Sequence, residues 1–205
     1  MSLIVKSEGQ KLAPIPEGTH FARCVQLIDL GSQYSETYDK WSPKVMIRWE
    51  IPGEVFTDTD GKPYPRLIGS TYTKSLGENA NMRKMLEAWR GKKFTDEELK
   101  SFDLSVLVSL PCMITITHSS KGDTTYANVA NVAAMPKGIE IEAQATPSLI
   151  YDLDSFDALE NIDQLPEFIQ NIIKKSKEWD ALHGEPAETV NDMPCMEETA
   201  DDRPF

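Results

Sequence analysis

Cysteine and histidine are scarce in this chain, at three residues each in 205. Cys24, Cys112 and Cys195 are an odd number at wide spacings, with no CxxC pair and no histidine at zinc-ligand distance. That pattern argues against a disulfide framework and against a structural zinc. Cys24 and Cys112 read instead as small buried hydrophobes, and Cys195 as a thiol kept free in a reducing compartment. Catalytic signatures are missing as well: there is no glycine-rich phosphate loop ending in Lys-Ser/Thr, no GxSxG and no HExxH. "DTDG" (58–61) hints at a calcium loop, but with Gly61 as its sixth position Phe56 would come first and Leu67 twelfth, where carboxylates are required. It reads as a turn. The expectation is a protein that is not an enzyme and takes no metal or cofactor. Long apolar runs are also lacking: none approaches the roughly 18 residues that cross a bilayer, and "MSLIVKSEGQK" lacks a signal peptide's apolar stretch. The expected address is the cytoplasm, away from any membrane.

Charge is plentiful but uneven. Residues 1–140 carry 17 Lys/Arg and 17 Asp/Glu, whereas residues 141–205 carry 4 and 16, so the net charge of −12 belongs to the C-terminal third. The balanced body is free to present a basic face, and a low overall pI does not exclude nucleic acid.

Periodicity orders the body. "GTHFARCVQLIDLG" (18–31) alternates as a long, bent strand. "SQYSETYDKWSPK" follows as a polar, unusually aromatic loop. In "KVMIRWEI" (44–51) Val45, Ile47, Trp49 and Ile51 share one face and Lys44, Met46, Arg48 and Glu50 the other, which predicts a half-buried strand with a basic outer side. "PGEVFTDTDGKPYPR" is turn chemistry leading into a third strand, "LIGSTYTKSL". The period then changes. Met82, Met85, Leu86 and Trp89 fall at helical spacing with Arg83, Lys84, Glu87 and Arg90 outside, Asn79 as a cap and Gly91 as a stop. Thr95 and Glu98 stand at capping-box spacing for a second helix. Two more strand runs, "VLVSLPCMITITHS" and "TTYANVANVAAM", are joined by "SSKGD". Strand, strand, strand, helix, strand, strand is the order of an OB-fold, a five-stranded barrel with an inserted helix.

The expected class is therefore mainly β (α+β), with three parts: an OB-fold single-strand-binding domain over 1–138, a helical extension over 139–184 and a disordered acidic tail over 185–205. In the extension, Pro166 opens a helix whose stripe of Phe168, Ile169, Ile172, Ile173 and Trp179 must bury on the barrel or on a second subunit, which leaves a homo-oligomer open. Lys174, Lys175 and Lys177 read as complements to that helix's dipole.

An OB barrel reads single strands across its second and third strands and through the loops after strands one and four. The first loop offers Tyr34, Tyr38, Lys40 and Trp41, the second strand Lys44 and Arg48, and the third Tyr72 and Lys74. The loop after strand four adds His118 and Lys121, with Tyr126 just beyond. Aromatics interleaved with cations suit single-stranded DNA, since each base can stack and each cation can neutralise a phosphate. Trp49 and Trp89 are assigned to the core.

The chain ends in "ADDRPF". "DDRPF" resembles the acidic tip of bacterial single-stranded DNA-binding proteins, in which an Asp-rich run ends in Ile-Pro-Phe. Asp201, Asp202, Pro204 and Phe205 match, while Arg203 replaces the apolar Ile and lowers the local negative charge. The resemblance implies a tip that docks on replication, recombination and repair proteins, with the ring of Phe205 in an apolar pocket and its carboxylate against a basic residue. "MRKMLEAWRGKKFTDEEL" (82–99) is similar to small phage-encoded single-strand-binding and replication-accessory proteins. Together these imply a phage-type protein that coats and protects single-stranded DNA and recruits partners through its tip. A protein-only adaptor of a replication module is the main alternative, and a metal-dependent nuclease the next.

Overall fold

A computed structural model describes residues 12–58, 60–155 and 158–183. The chain is mainly β, with one antiparallel sheet as its frame. Strands β1 (Gly18–Ser35), β2 (Lys40–Thr57), β3 (Pro63–Thr73), β4 (Pro111–Lys121) and β5 (Thr124–Ala133) pair in the order β3-β2-β1-β4-β5. A short strand β6 (Leu149–Tyr151), absent from the sequence-based expectation, pairs parallel to β1. β4 holds one edge of β1 from Gly18 to Arg23, and β6 takes over from Gln26 to Ile28.

β1 and β2 are each 18 residues long, and β1 breaks register with β2 between Cys24 and Gln26 and again between Asp29 and Gly31. Such bulges bend and twist a strand, which lets a long ribbon curl. The ladder ends at β3 on one side and β5 on the other, and among the described residues no ladder joins them. Helix α1 (Asn81–Arg90) spans this seam, packing on β5 and β3. Its stripe of Met82, Met85, Leu86 and Trp89 is buried as the spacing predicts, and Gly91 ends it in the left-handed region at φ 67°. The cap differs from expectation: Ala80 holds the N-cap position and makes no side-chain bond, so Asn79 does not cap α1. Arg90 also leaves the outer face, pairing with Glu98 and lying over the rings of Phe94 and Phe102. The capping box forms, with Thr95 and Glu98 bonding reciprocally ahead of α2 (Asp96–Lys100).

Both faces of the sheet are covered, each by its own core. Inside the curl, Cys24, Leu27, Val45, Ile47, Trp49, Ile51, Cys112 and Ile114 pack with the α1 stripe. Outside it, Ile28, Leu30 and Met46 pack with Tyr151, Leu153, Ile162, Leu165, Ile169 and Ile173 from the C-terminal segment. The expected basic outer side of β2 is therefore mostly covered. Met46 is buried, and Glu50 is 1% exposed with its carboxylate accepting the N–H groups of Ala145 (3.0 Å) and Thr146 (2.6 Å). The helix expected over 166–182 is two: α4 (Glu167–Ile173), which follows the short α3 (Ala158–Asn161), and α5 (Lys177–His183). Ile169 and Ile173 bury on the sheet of the same chain, while Phe168 stays exposed. The tail over 185–205 lies outside the described residues, as does Cys195.

Candidate nucleic-acid interface

The open seam is a groove. A cavity of about 1130 Å³ runs between β3 and β5 below the start of α1, lined by Ser70–Thr73, by 129–132, by Asn79–Asn81 and Lys84, and by Tyr38, Lys40 and Lys44 from the neighbouring hairpin. Four residues singled out from the sequence, Tyr38, Lys40, Lys44 and Tyr72, meet here. Tyr38 is the most exposed large apolar side chain described, at 73%, and Lys40 Nζ lies 5.7 Å from its ring centre. Lys44 Nζ donates to Thr73 Oγ1 at 2.8 Å, which ties it to its cross-strand partner at the end of β3. Tyr72 packs its ring partly on the inner core, and burial raises its phenol above the ordinary range. None of Lys40, Lys44 and Lys84 is in an ion pair among the described residues, and Glu78 is the acidic residue of the lining.

Lys84 is the groove residue that sequence reading missed, because the helical pattern placed it on the solvent side of α1. A signal was present. The first turn of α1 carries no acidic residue and holds Arg83 and Lys84, although a helix N-terminus favours negative charge. Glu87 answers Arg83 at 3.0 Å, which leaves Lys84 to suit an anion brought from elsewhere.

Tyr34 and Trp41 form a second cluster. Rather than lying in a loop, they face each other across the β1–β2 ladder, with ring centres 5.5 Å apart. Hairpin arms beyond the cores need no apolar alternation to stay paired, which is why the polar pattern misled. Asp39, in the left-handed region at φ 46°, makes the turn, and the Tyr34 hydroxyl donates to its carboxylate, raising the Tyr34 phenol above its usual range. Lys177 from α5 places its Nζ 5.0 Å from the Trp41 ring centre.

The remaining candidates are placed elsewhere. Arg48 is half-buried and donates to Gln26 Oε1 at 2.6 Å, and burial pulls its guanidinium below the usual value. Lys74 pairs with Asp29 at 2.8 Å. Burial alone would lower Lys74, but the bond to Asp29 and the fields of Asp29, Asp154 and Asp152 outweigh it and hold the amine above its ordinary range. His118 is tied down at both ends, its N–H donating to Glu17 and its ring meeting the Ile15 carbonyl at 2.7 Å. Lys121 and Tyr126 sit on the β4–β5 hairpin, which reaches past the N-terminal end of β1, whereas the β1–β2 hairpin closes beyond its C-terminal end. They do not line the groove. Asp201, Asp202, Pro204 and Phe205 lie outside the described residues.

Compared with known proteins, the chain matches no family model and no curated sequence. Among the described residues no helix is long and apolar enough to cross a membrane.

Proposed function

We propose that this protein binds single-stranded DNA without catalysing a reaction on it, and that the strand lies in the groove between β3, β5 and α1. The observation that carries the reading is the convergence of Lys40, Lys44 and Lys84, all outside ion pairs among the described residues, with Tyr38 and Tyr72 around one open channel. A base stacked on an aromatic ring contributes about 1–3 kcal/mol without regard to sequence, and each lysine can displace a counterion from a phosphate. The strand order, with a helix across the β3–β5 seam, supports an OB barrel opened along that seam. In this reading the protein coats single strands in a phage replication or recombination module, and Asp201, Asp202, Pro204 and Phe205 recruit its protein partners.

Titration of a labelled oligo-dT at two salt concentrations tests it, comparing the intact chain with Tyr38→Ala and with Lys44→Ala/Lys84→Ala. Binding should weaken with salt, Tyr38→Ala should cost about tenfold, and the lysine pair should flatten the salt slope by roughly 0.7 per contact. A folded protein that binds no oligonucleotide at low salt would favour the adaptor instead.

A further inference from the structure

Between α4 and α5 the chain turns a sharp corner that carries three lysines in four residues, Lys174, Lys175 and Lys177, all exposed. The fourth, Ser176, is fully buried. Ser176 sits so close to Gly31 that a Cβ there would lie 2.6 Å from the serine's own Cβ. Its hydroxyl accepts the Trp179 N–H at 3.2 Å, starting α5. Glu178 turns inward, accepting the Ser32 N–H (2.6 Å) and hydroxyl (2.7 Å), and the Gln33 amide donates to the Ile172 carbonyl at 3.0 Å. The corner is thus fixed to the base of the β1–β2 hairpin with its lysines outward.

The acidic side chain nearest in sequence is spent on Ser32, and none of the three lysines is in an ion pair among the described residues. Lys177 lies over Trp41, which is 38% exposed and already paired with Tyr34. A cation over an indole occupies Lys177, and Lys174 Nζ reaches Gln170 Oε1 at 3.5 Å, but neither contact neutralises the charge of the corner. Charge complementarity points further: three exposed cations, outside ion pairs among the described residues and beside an exposed aromatic pair, suit a phosphate backbone whose bases stack. Lys40 and Trp41 are neighbours on β2 and project to opposite sides, and only Lys40 lines the groove.

We infer that the lysine corner is a second wall of the binding surface: a single strand leaving the groove rounds the β1–β2 hairpin, stacks on Trp41 and lays its phosphates on Lys174, Lys175 and Lys177. This rests on the groove reading proposed above. It makes the C-terminal segment part of the nucleic-acid surface as well as a cover for the sheet.

The test uses the full chain and two oligo-dT lengths, about 6 and about 20 nucleotides, short of and beyond one groove. Salt slopes are compared for the intact protein, a Lys174→Gln/Lys175→Gln/Lys177→Gln variant and the matching Lys→Arg variant. Because these side chains are exposed, unfolding midpoints should coincide, and single Lys175→Gln provides the same readout if the triple variant folds poorly. With the long oligonucleotide the Gln variant should lose about 2 units of slope and the Arg variant none, while the short one is unaffected. An unchanged long-oligonucleotide slope in the Gln variants, or equal losses at both lengths, overturns the inference with the groove reading intact. Failure of the intact protein to bind either length overturns the groove reading and this inference with it.

Discussion

Lys74 Nζ lies 2.8 Å from a carboxylate oxygen of Asp29, 45 residues earlier in the chain, where β1 bulges. Asp152 and Asp154 join the cluster, so that one oxygen from each of the three carboxylates lies within 4.8 Å of the others. Lys74 supplies the positive charge of that cluster. Lys74→Ala should therefore lower stability by about 1 kcal/mol, a figure kept small because the amine is partly exposed. Urea unfolding reads this effect, and oligo-dT titration of the same variant should give an unaltered salt slope.

Gly31 is needed twice over, for its φ of +65° and for its contact with Ser176. A methyl group there meets both a left-handed backbone and a neighbour at 2.6 Å. Gly31→Ala should cost about 2–4 kcal/mol in chemical denaturation, combining backbone strain with overpacking. Hydrogen exchange should quicken first in α4 and α5, which this contact holds on the sheet.

Glu50 anchors the start of the C-terminal segment from inside the sheet. Removing its carboxylate by Glu50→Ala strips the Ala145 and Thr146 N–H groups of their acceptors. A loss of about 2–3 kcal/mol is expected, with amide exchange of β6 rising relative to β4, because β6 follows directly from that anchor. Equal loosening of β4 and β6 would contradict this role.

Acid should release the α5 corner. Burial alone would raise the Glu178 carboxyl, but the hydroxyl and N–H of Ser32 outweigh it and hold the group below its ordinary value. A depressed carboxyl stabilises the fold above its unfolded value, near 4.5, and that contribution is lost as pH falls through the lower folded value. The thermal midpoint of the intact protein should therefore drop more steeply below about pH 4.5 than that of Glu178→Gln.

Local signals carried much of this fold in the sequence, and long-range cover did not. The α1 stripe, the Thr95–Glu98 capping box and the burial of Trp49, Trp89, Cys24 and Cys112 follow from spacing and residue type, and all are in place. Alternation along β2 correctly sorted its residues onto two faces, yet it cannot say what lies over a face of mixed polarity. Met46 is the one apolar residue on that face of 44–51, and the core it joins takes its other half from residues more than 100 positions later. The same limit applies to the site. Tyr38, Lys40, Lys44 and Tyr72 lie near one another along neighbouring strands, so their meeting was legible. The positions of Lys84 and Lys177 depend on where their helices dock, and the partner of Lys74 is a carboxylate on another strand, 45 residues earlier.

The most direct test of the groove reading is a backbone amide map of the full chain titrated with oligo-dT by nuclear magnetic resonance. The largest shifts are expected at 38–44, 70–73, 79–84 and 129–132, the segments that surround the channel. Shifts confined to the β4–β5 hairpin around Lys121 and Tyr126, or none at all at saturating oligonucleotide, would contradict it.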